Sequence, residues 1–138
     1  MESDFKNAEK KALRLIARAE QCSAGLLRKL EKRGVKNAIA AEVISRLTET
    51  GLLDDARFSR LWLQSRLRLT RTPRRLLAGL CARGIPHNEA ETALANILDE
   101  EVEIAMLERF IKKYAKKADK YALKYEGFSK QAIEQITY

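Results

Sequence analysis

LLRKLEKRGV (residues 26–35) and LLAGLCARGI (residues 76–85) state one pattern twice in a chain of 138 residues. Each sets two adjacent leucines and a third three residues on, then an arginine, a glycine and a β-branched residue. The leucine spacing is that of one face of an α-helix, and the glycine stands where a helix stops in a left-handed residue. A face and a stop repeated together at an offset of fifty residues predict a repeated helical module rather than a chance likeness of two helices.

Outward from these strings the same offset pairs Leu13 with Leu63, Arg18 with Arg68, and Ile44 and Leu47 with Leu94 and Ile97. A weaker third copy, at an offset of 93, pairs Leu30, Gly34, Val35, Ala40 and Val43 with Leu123, Gly127, Phe128, Ile133 and Ile136. No stretch alternates for long with the period of a strand, so the fold class is all-α. Helices are expected at 4–21, 24–33, 37–50, 54–70, 73–83, 88–98, 100–117, 118–126 and 129–137. Ser23, Asp54 and Ser129 are expected N-caps, Pro73 a first helical residue, Asn88 with Glu91 a capping box, and Gly34, Gly84 and Gly127 helix stops. Grouped in threes, the helices form three-helix repeats at 1–52, 53–99 and 100–138, the last expected to be incomplete because its final helix stops at Tyr138. Such modules hide little apolar surface alone and share a core when stacked, which predicts an elongated, curved row.

The composition, 46% hydrophobic and 33% charged, is that of a globular protein. The opening MESDFKNAEKK is polar and charged, and no run is apolar enough for a signal peptide or a membrane span, so a cytoplasmic location is expected. Cys22 and Cys81 lie far apart without a CxxC or Cys/His pattern and are expected to be free, at least half-buried thiols rather than metal ligands or a disulfide.

Charge is unevenly distributed. Residues 56–88 hold no acid and eight arginines, a segment that equals the whole net charge of +8. Glu89, Glu91, Asp99, Glu100, Glu101 and Glu103 follow, then the lysines of 112–124. A basic stripe of this kind suits a polyanion or an acidic protein surface. Arg74 and Arg75 fall in the first turn of a helix, where the dipole also favours an anion, so a phosphate or carboxylate is expected to dock there.

Catalytic chemistry has little to stand on. The single histidine, His87, follows Gly84-Ile85-Pro86, where a loop or capping role is expected. Adjacent Asp54 and Asp55 begin a helix, one as its cap and the other facing the positive end of the dipole. No phosphate-binding glycine loop, metal-ligand set or nucleophile–base pair is legible, so neither enzyme activity nor a cofactor or metal is expected. A helix-turn-helix reading fails on charge: AIAAEVISRLTET carries one arginine, and NEAETALANIL carries only acids, which phosphate repels. Trp62, four residues from Phe58, is expected in the core, with an exposed anchor as the alternative.

The stretch GLLDDARFSRLWLQSRL (51–67), followed by TPRRLLAGLCARGI (72–85), resembles the RecX family of bacterial recombination regulators. The resemblance rests on Gly51, Leu53, Asp54, Asp55 and Phe58, then Arg66, then Pro73, Arg74, Arg75, Leu80, Gly84 and Ile85, and weakens after about residue 100. Thr72 stands where many members carry glycine. The family's motif residues Gly51, Leu53, Asp54, Asp55, Phe58, Pro73 and Gly84 are read as mainly structural. The resemblance implies tandem three-helix repeats that bind the groove of the RecA nucleoprotein filament. It also implies inhibition of RecA's ATPase, strand exchange and co-protease activities, which limits the SOS response. On that reading Arg66, Arg68, Arg71, Arg74, Arg75 and Arg83 are the expected partner contacts, with Lys112, Lys113, Lys116 and Lys117 a second patch. A monomer is expected, with weak direct DNA contact. The alternative is a basic helical-repeat protein that binds DNA non-specifically through its arginine-rich middle module.

Overall fold

The computed structural model describes residues 2–69, 71–115 and 118–137. Lys116 and Lys117 lie outside the described residues. The described residues form nine α-helices: α1 (Glu2–Arg18), α2 (Ser23–Lys32), α3 (Asn37–Glu49), α4 (Asp55–Arg66), α5 (Pro73–Ala82), α6 (His87–Ile97), α7 (Glu100–Lys113), α8 (Lys120–Tyr125) and α9 (Lys130–Thr137). They are organised as two compact units, Met1–Phe58 with Arg83–Ile85, and Ser59–Ala82 with Pro86–Tyr138.

In the first unit α1, α2 and α3 pack pairwise on one another. α1 turns Ala8, Ala12 and Leu15 inward, α2 contributes Leu26 and Leu30, and α3 contributes Ala40, Val43 and Leu47, with Leu53 closing the cluster. Each fully buried leucine contributes about 1.5–3 kcal/mol by leaving water. The expected equivalence of Leu13 and Leu63 does not hold in burial: Leu13 stays 39% exposed while Leu63 is fully buried. On α1 the inward stripe is one residue away, on the small alanines, which lets the neighbouring helices come close.

The first copy of the opening string ends as expected. Gly34 has φ +84°, and Val35 N–H donates across the turn to Leu30 O at 3.0 Å. Gly127 repeats the device, with Phe128 N–H donating to Leu123 O at 3.2 Å. Gly84 has φ +94° and carries a second constraint: a Cβ there would overlap Ala24 Cβ. The turn Arg83–Ile85 belongs to the first unit, where Arg83 O accepts from Cys22 Sγ at 3.2 Å and from Arg28 Nη2 at 3.5 Å. Gly51, read from the sequence only as a motif residue, is a further helix stop at φ +81°.

Two expected caps are corrected. Ser23 is the first residue of α2, not its cap; Cys22 occupies the cap position without a side-chain capping bond, and Asp55 Oδ1 accepts from Ser23 N–H at 2.8 Å. A carboxylate from another helix thus replaces the local hydroxyl. The Asn88–Glu91 capping box does not form, because Pro86 precedes α6 and Glu91 Oε1 instead lies 3.0 Å from His87 Nδ1. Asp54 caps α4 as expected, accepting from Arg57 N–H at 3.0 Å, and Ser129 Oγ accepts from Ala132 N–H at 3.2 Å. α1 stops at Arg18, three residues early, where the side-chain amide of Gln21 donates to the carbonyls of Leu15 and Ala19. Cys22 is buried and Cys81 half-buried, and both are free thiols.

In the second unit α5 packs on α6, and α9 packs on both α7 and α8. Its interior holds Leu76, Leu80, Met106, Leu107, Phe110, Leu123 and Phe128, with the Phe110 and Phe128 rings 5.9 Å apart. No helix among the described residues is long and apolar enough to cross a membrane.

Candidate partner-binding surface

α5 begins with Thr72-Pro73-Arg74-Arg75. Proline at the first helical position has no N–H to leave unpaired, so the open donors are those of Arg74 and Arg75. Arg75 N–H donates to Thr72 Oγ1 at 3.3 Å. Arg74 N–H donates to the backbone carbonyl of Glu126 at 2.9 Å. That approach needs Gly127, whose φ is +92° and whose place could not take a Cβ without crowding Arg74 N and Pro73 Cβ at 3.1 and 3.2 Å.

The Glu126 side chain turns back to the same helix start. Its carboxylate accepts from Thr72 Oγ1 at 2.6 Å and from Arg74 Nη2 at 3.0 Å. Burial pushes the Glu126 carboxyl upward in pKa, yet the bonds from Thr72 and Arg74 and the charges of Arg74 and Arg75 outweigh it and hold the group below its ordinary value. The hydrogen bond to Glu126 correspondingly raises Arg74. The anion expected from outside at this helix start is therefore already present, supplied by the chain's own Glu126.

The expected contact residues divide into spent and outward-facing cations. Arg74 is spent on Glu126, and its guanidinium also lies 4.7 Å from the centre of the Tyr125 ring. Arg66 lies half-buried 4.9 Å from the ring of Trp62. Trp62 is itself half-buried, with its ring so close that a Cβ at Gly79 would come within 2.5 Å. Arg83 is half-buried and lies in the first unit, whereas the other described contact candidates lie in the second. Arg57, from the same basic run, is spent on Glu20 at 2.8 Å and on the carbonyls of Gly51 and Leu52. Arg68, Arg71, Arg75, Lys112 and Lys113 are exposed.

A family model described as "RecX, first three-helix domain" matches residues 8–47. A "Regulatory protein RecX" from Treponema pallidum is 37% identical over 107 residues, covering 77% of this chain and 65% of the relative. The chain belongs to the RecX family. A RecX regulatory protein from Mycobacterium marinum is 40% identical over 86 residues, covering 62% of the chain and 50% of that relative. The matched region thus spans half to just under two thirds of these RecX relatives. The crystal structure of RecX from Lactobacillus salivarius agrees in fold, with a TM-score of 0.77 at 20% identity over 99% of this chain and 96% of that one.

Two residues that organise this RecX-family surface escaped the sequence reading. Arg109 Nη2 donates to Leu67 O at 2.6 Å, which ties α7 to the residue just after α4, a helix that ends at Arg66, four residues short of expectation. Glu126 ties the end of α8 to the start of α5. Arg68 and Arg71 lie on the connection between these two ties. The only signal for Glu126 was its place next to the helix-stopping Gly127 in a lysine-rich stretch.

Proposed function

We propose that this chain is a non-enzymatic regulator of the RecA recombinase that binds the RecA nucleoprotein filament and inhibits its ATPase, strand exchange and co-protease activities, limiting recombination and the SOS response. The observation that carries this reading is the exposed cationic surface of Arg68, Arg71 and Arg75 in a member of the RecX family. Arg68 and Arg71 fall in sequence between two tied points, Leu67 bound by Arg109 and Thr72 bound by Glu126, and Arg75 follows in the first turn of α5. Lys112 and Lys113 add a second cationic patch, Arg66 contributes from a half-buried position in the same unit, and Arg83 is a separate contact on the first unit. An extended filament offers successive copies of one acidic surface, and many modest contacts then add up to tight binding. Mechanistically, the bound chain blocks the rearrangement of protomers that filament turnover requires. The protein acts in the cytoplasm as a monomer built of repeats at 1–52, 53–99 and 100–138.

The decisive measurement is DNA-dependent ATP hydrolysis by the cognate RecA with increasing amounts of the wild-type chain. Hydrolysis is expected to fall in a dose-dependent way. An unchanged rate at saturating protein would end this reading.

A further inference from the structure

α8 carries two tyrosines, Tyr121 and Tyr125, one helical turn apart and hence on one face. They are 83% and 70% exposed, the most solvent-open of the large hydrophobic side chains. Folding alone gives no reason to leave two such rings in water on a helix of six residues. Lys120 and Lys124, also exposed, flank them on the same helix. Arg74 lies against Tyr125, 4.7 Å from the ring centre.

Acids near this face are spent on the fold. The Glu126 residue is only 8% exposed, and its carboxylate is bound by Thr72 and Arg74. Asp119 Oδ1 caps α8 by accepting from Ala122 N–H at 2.7 Å. The outward character of α8 is therefore aromatic and cationic. Flat rings between positive charges match a ligand with exposed π-faces strung on an anionic backbone. Duplex DNA offers the anions but keeps its base faces stacked inside, and an acidic protein surface leaves the rings with no flat counterpart.

We propose that the Tyr121–Tyr125 face of α8 is a stacking platform for single-stranded nucleic acid. Unpaired bases lie on the two rings, while Lys120 and Lys124 neutralise the flanking phosphates. Arg74, held by Glu126, backs Tyr125 and keeps its ring oriented, so it is a positioning residue rather than a phosphate contact. This goes beyond the regulatory reading above, which requires no direct contact with nucleic acid.

The test is fluorescence anisotropy of a fluorescein-labelled oligothymidylate, without recombinase, titrated with the full chain and with Tyr121→Ala, Tyr125→Ala and Tyr121→Phe. The wild type is expected to bind the single strand more tightly than a duplex of the same length. Each alanine variant should weaken single-strand binding roughly five- to hundredfold, the range of one lost base stack. Tyr121→Phe, which keeps the ring and loses the hydroxyl, should bind within about twofold of wild type. Because Tyr121 lies open to solvent, its replacement leaves the fold intact, as circular dichroism would verify. Equal affinity for single strand and duplex, or unchanged affinity in both alanine variants, overturns the platform. So does loss of recombinase inhibition in these variants with oligonucleotide binding intact, which would make the face a protein contact. Failure to bind the oligonucleotide at all, with recombinase inhibition intact, removes this inference and leaves the regulatory function standing.

Discussion

Glu126 grips Arg74 at two points: its backbone carbonyl takes the Arg74 N–H at 2.9 Å, and its carboxylate takes Arg74 Nη2 at 3.0 Å. With Thr72 Oγ1 on the second carboxylate oxygen at 2.6 Å, one buried acid completes the cap of α5 and neutralises the arginine beside it. The first turn of α5 is therefore structural on the Arg74 side and exposed on the Arg75 side.

Glu126→Ala should destabilise the second unit by about 2–3 kcal/mol, because it removes charged hydrogen bonds and leaves the buried Thr72 O–H donor without its acceptor. The effect has a definite pH dependence. The folded-state carboxyl lies below its ordinary value of 4.5, so the unfolded chain binds the proton first as pH falls. The contribution is fully present above pH 4.5 and is lost as pH drops through the lower folded-state value. Urea unfolding of wild type and Glu126→Gln should therefore show a stability gap at neutral pH that narrows in acid; a constant gap would contradict the assignment.

Reversing the two arginines should separate fold from function. Arg75→Glu, at an exposed position, is expected to keep the helical circular dichroism signal and thermal midpoint while raising the concentration needed to inhibit RecA ATP hydrolysis roughly tenfold. Arg74→Glu sets a second carboxylate against Glu126 and should lower the thermal midpoint. If Arg75→Glu inhibits as well as wild type, Arg75 is not a contact.

Gly34 and Gly84, at the same place in the two copies, should respond differently to alanine. Both have positive φ, which costs an L-residue about 1–2 kcal/mol. Nothing lies within 4 Å of a Cβ at Gly34, whereas one at Gly84 strikes Ala24, and overpacking adds about 1–3 kcal/mol. Gly84→Ala should therefore be clearly the more destabilising in chemical denaturation. Equal losses would mean that Ala24 yields without cost.

Asp55→Ala should cost about 1 kcal/mol through loss of the cap on Ser23 N–H, with Ser23→Ala nearly neutral. The order would be reversed if Ser23 capped its own helix. Thermal melts of the two variants decide between the carboxylate and the hydroxyl.

Helix type, helix number and most helix ends were readable from the chain, because leucine spacing and glycine stops act over a few residues and leave a local trace. Leu26, Leu30, Leu76, Leu80 and Leu123 are buried as their periodicity requires, and Gly34, Gly84 and Gly127 take the left-handed backbone expected of them. The GLLDD and TPRR stretches were enough to identify the family. Only the tertiary structure decided which charges remain available. Asp55 reaches Ser23 across 32 residues, Arg109 reaches Leu67 across 42, and Glu126 reaches Thr72 across 54. Carboxylates and guanidiniums find partners by proximity in space, and no local spacing rule marks those partners in advance. The run of eight arginines read as one cationic stripe; folding spent Arg57 and Arg74 on Glu20 and Glu126 and left Arg68, Arg71 and Arg75 facing water.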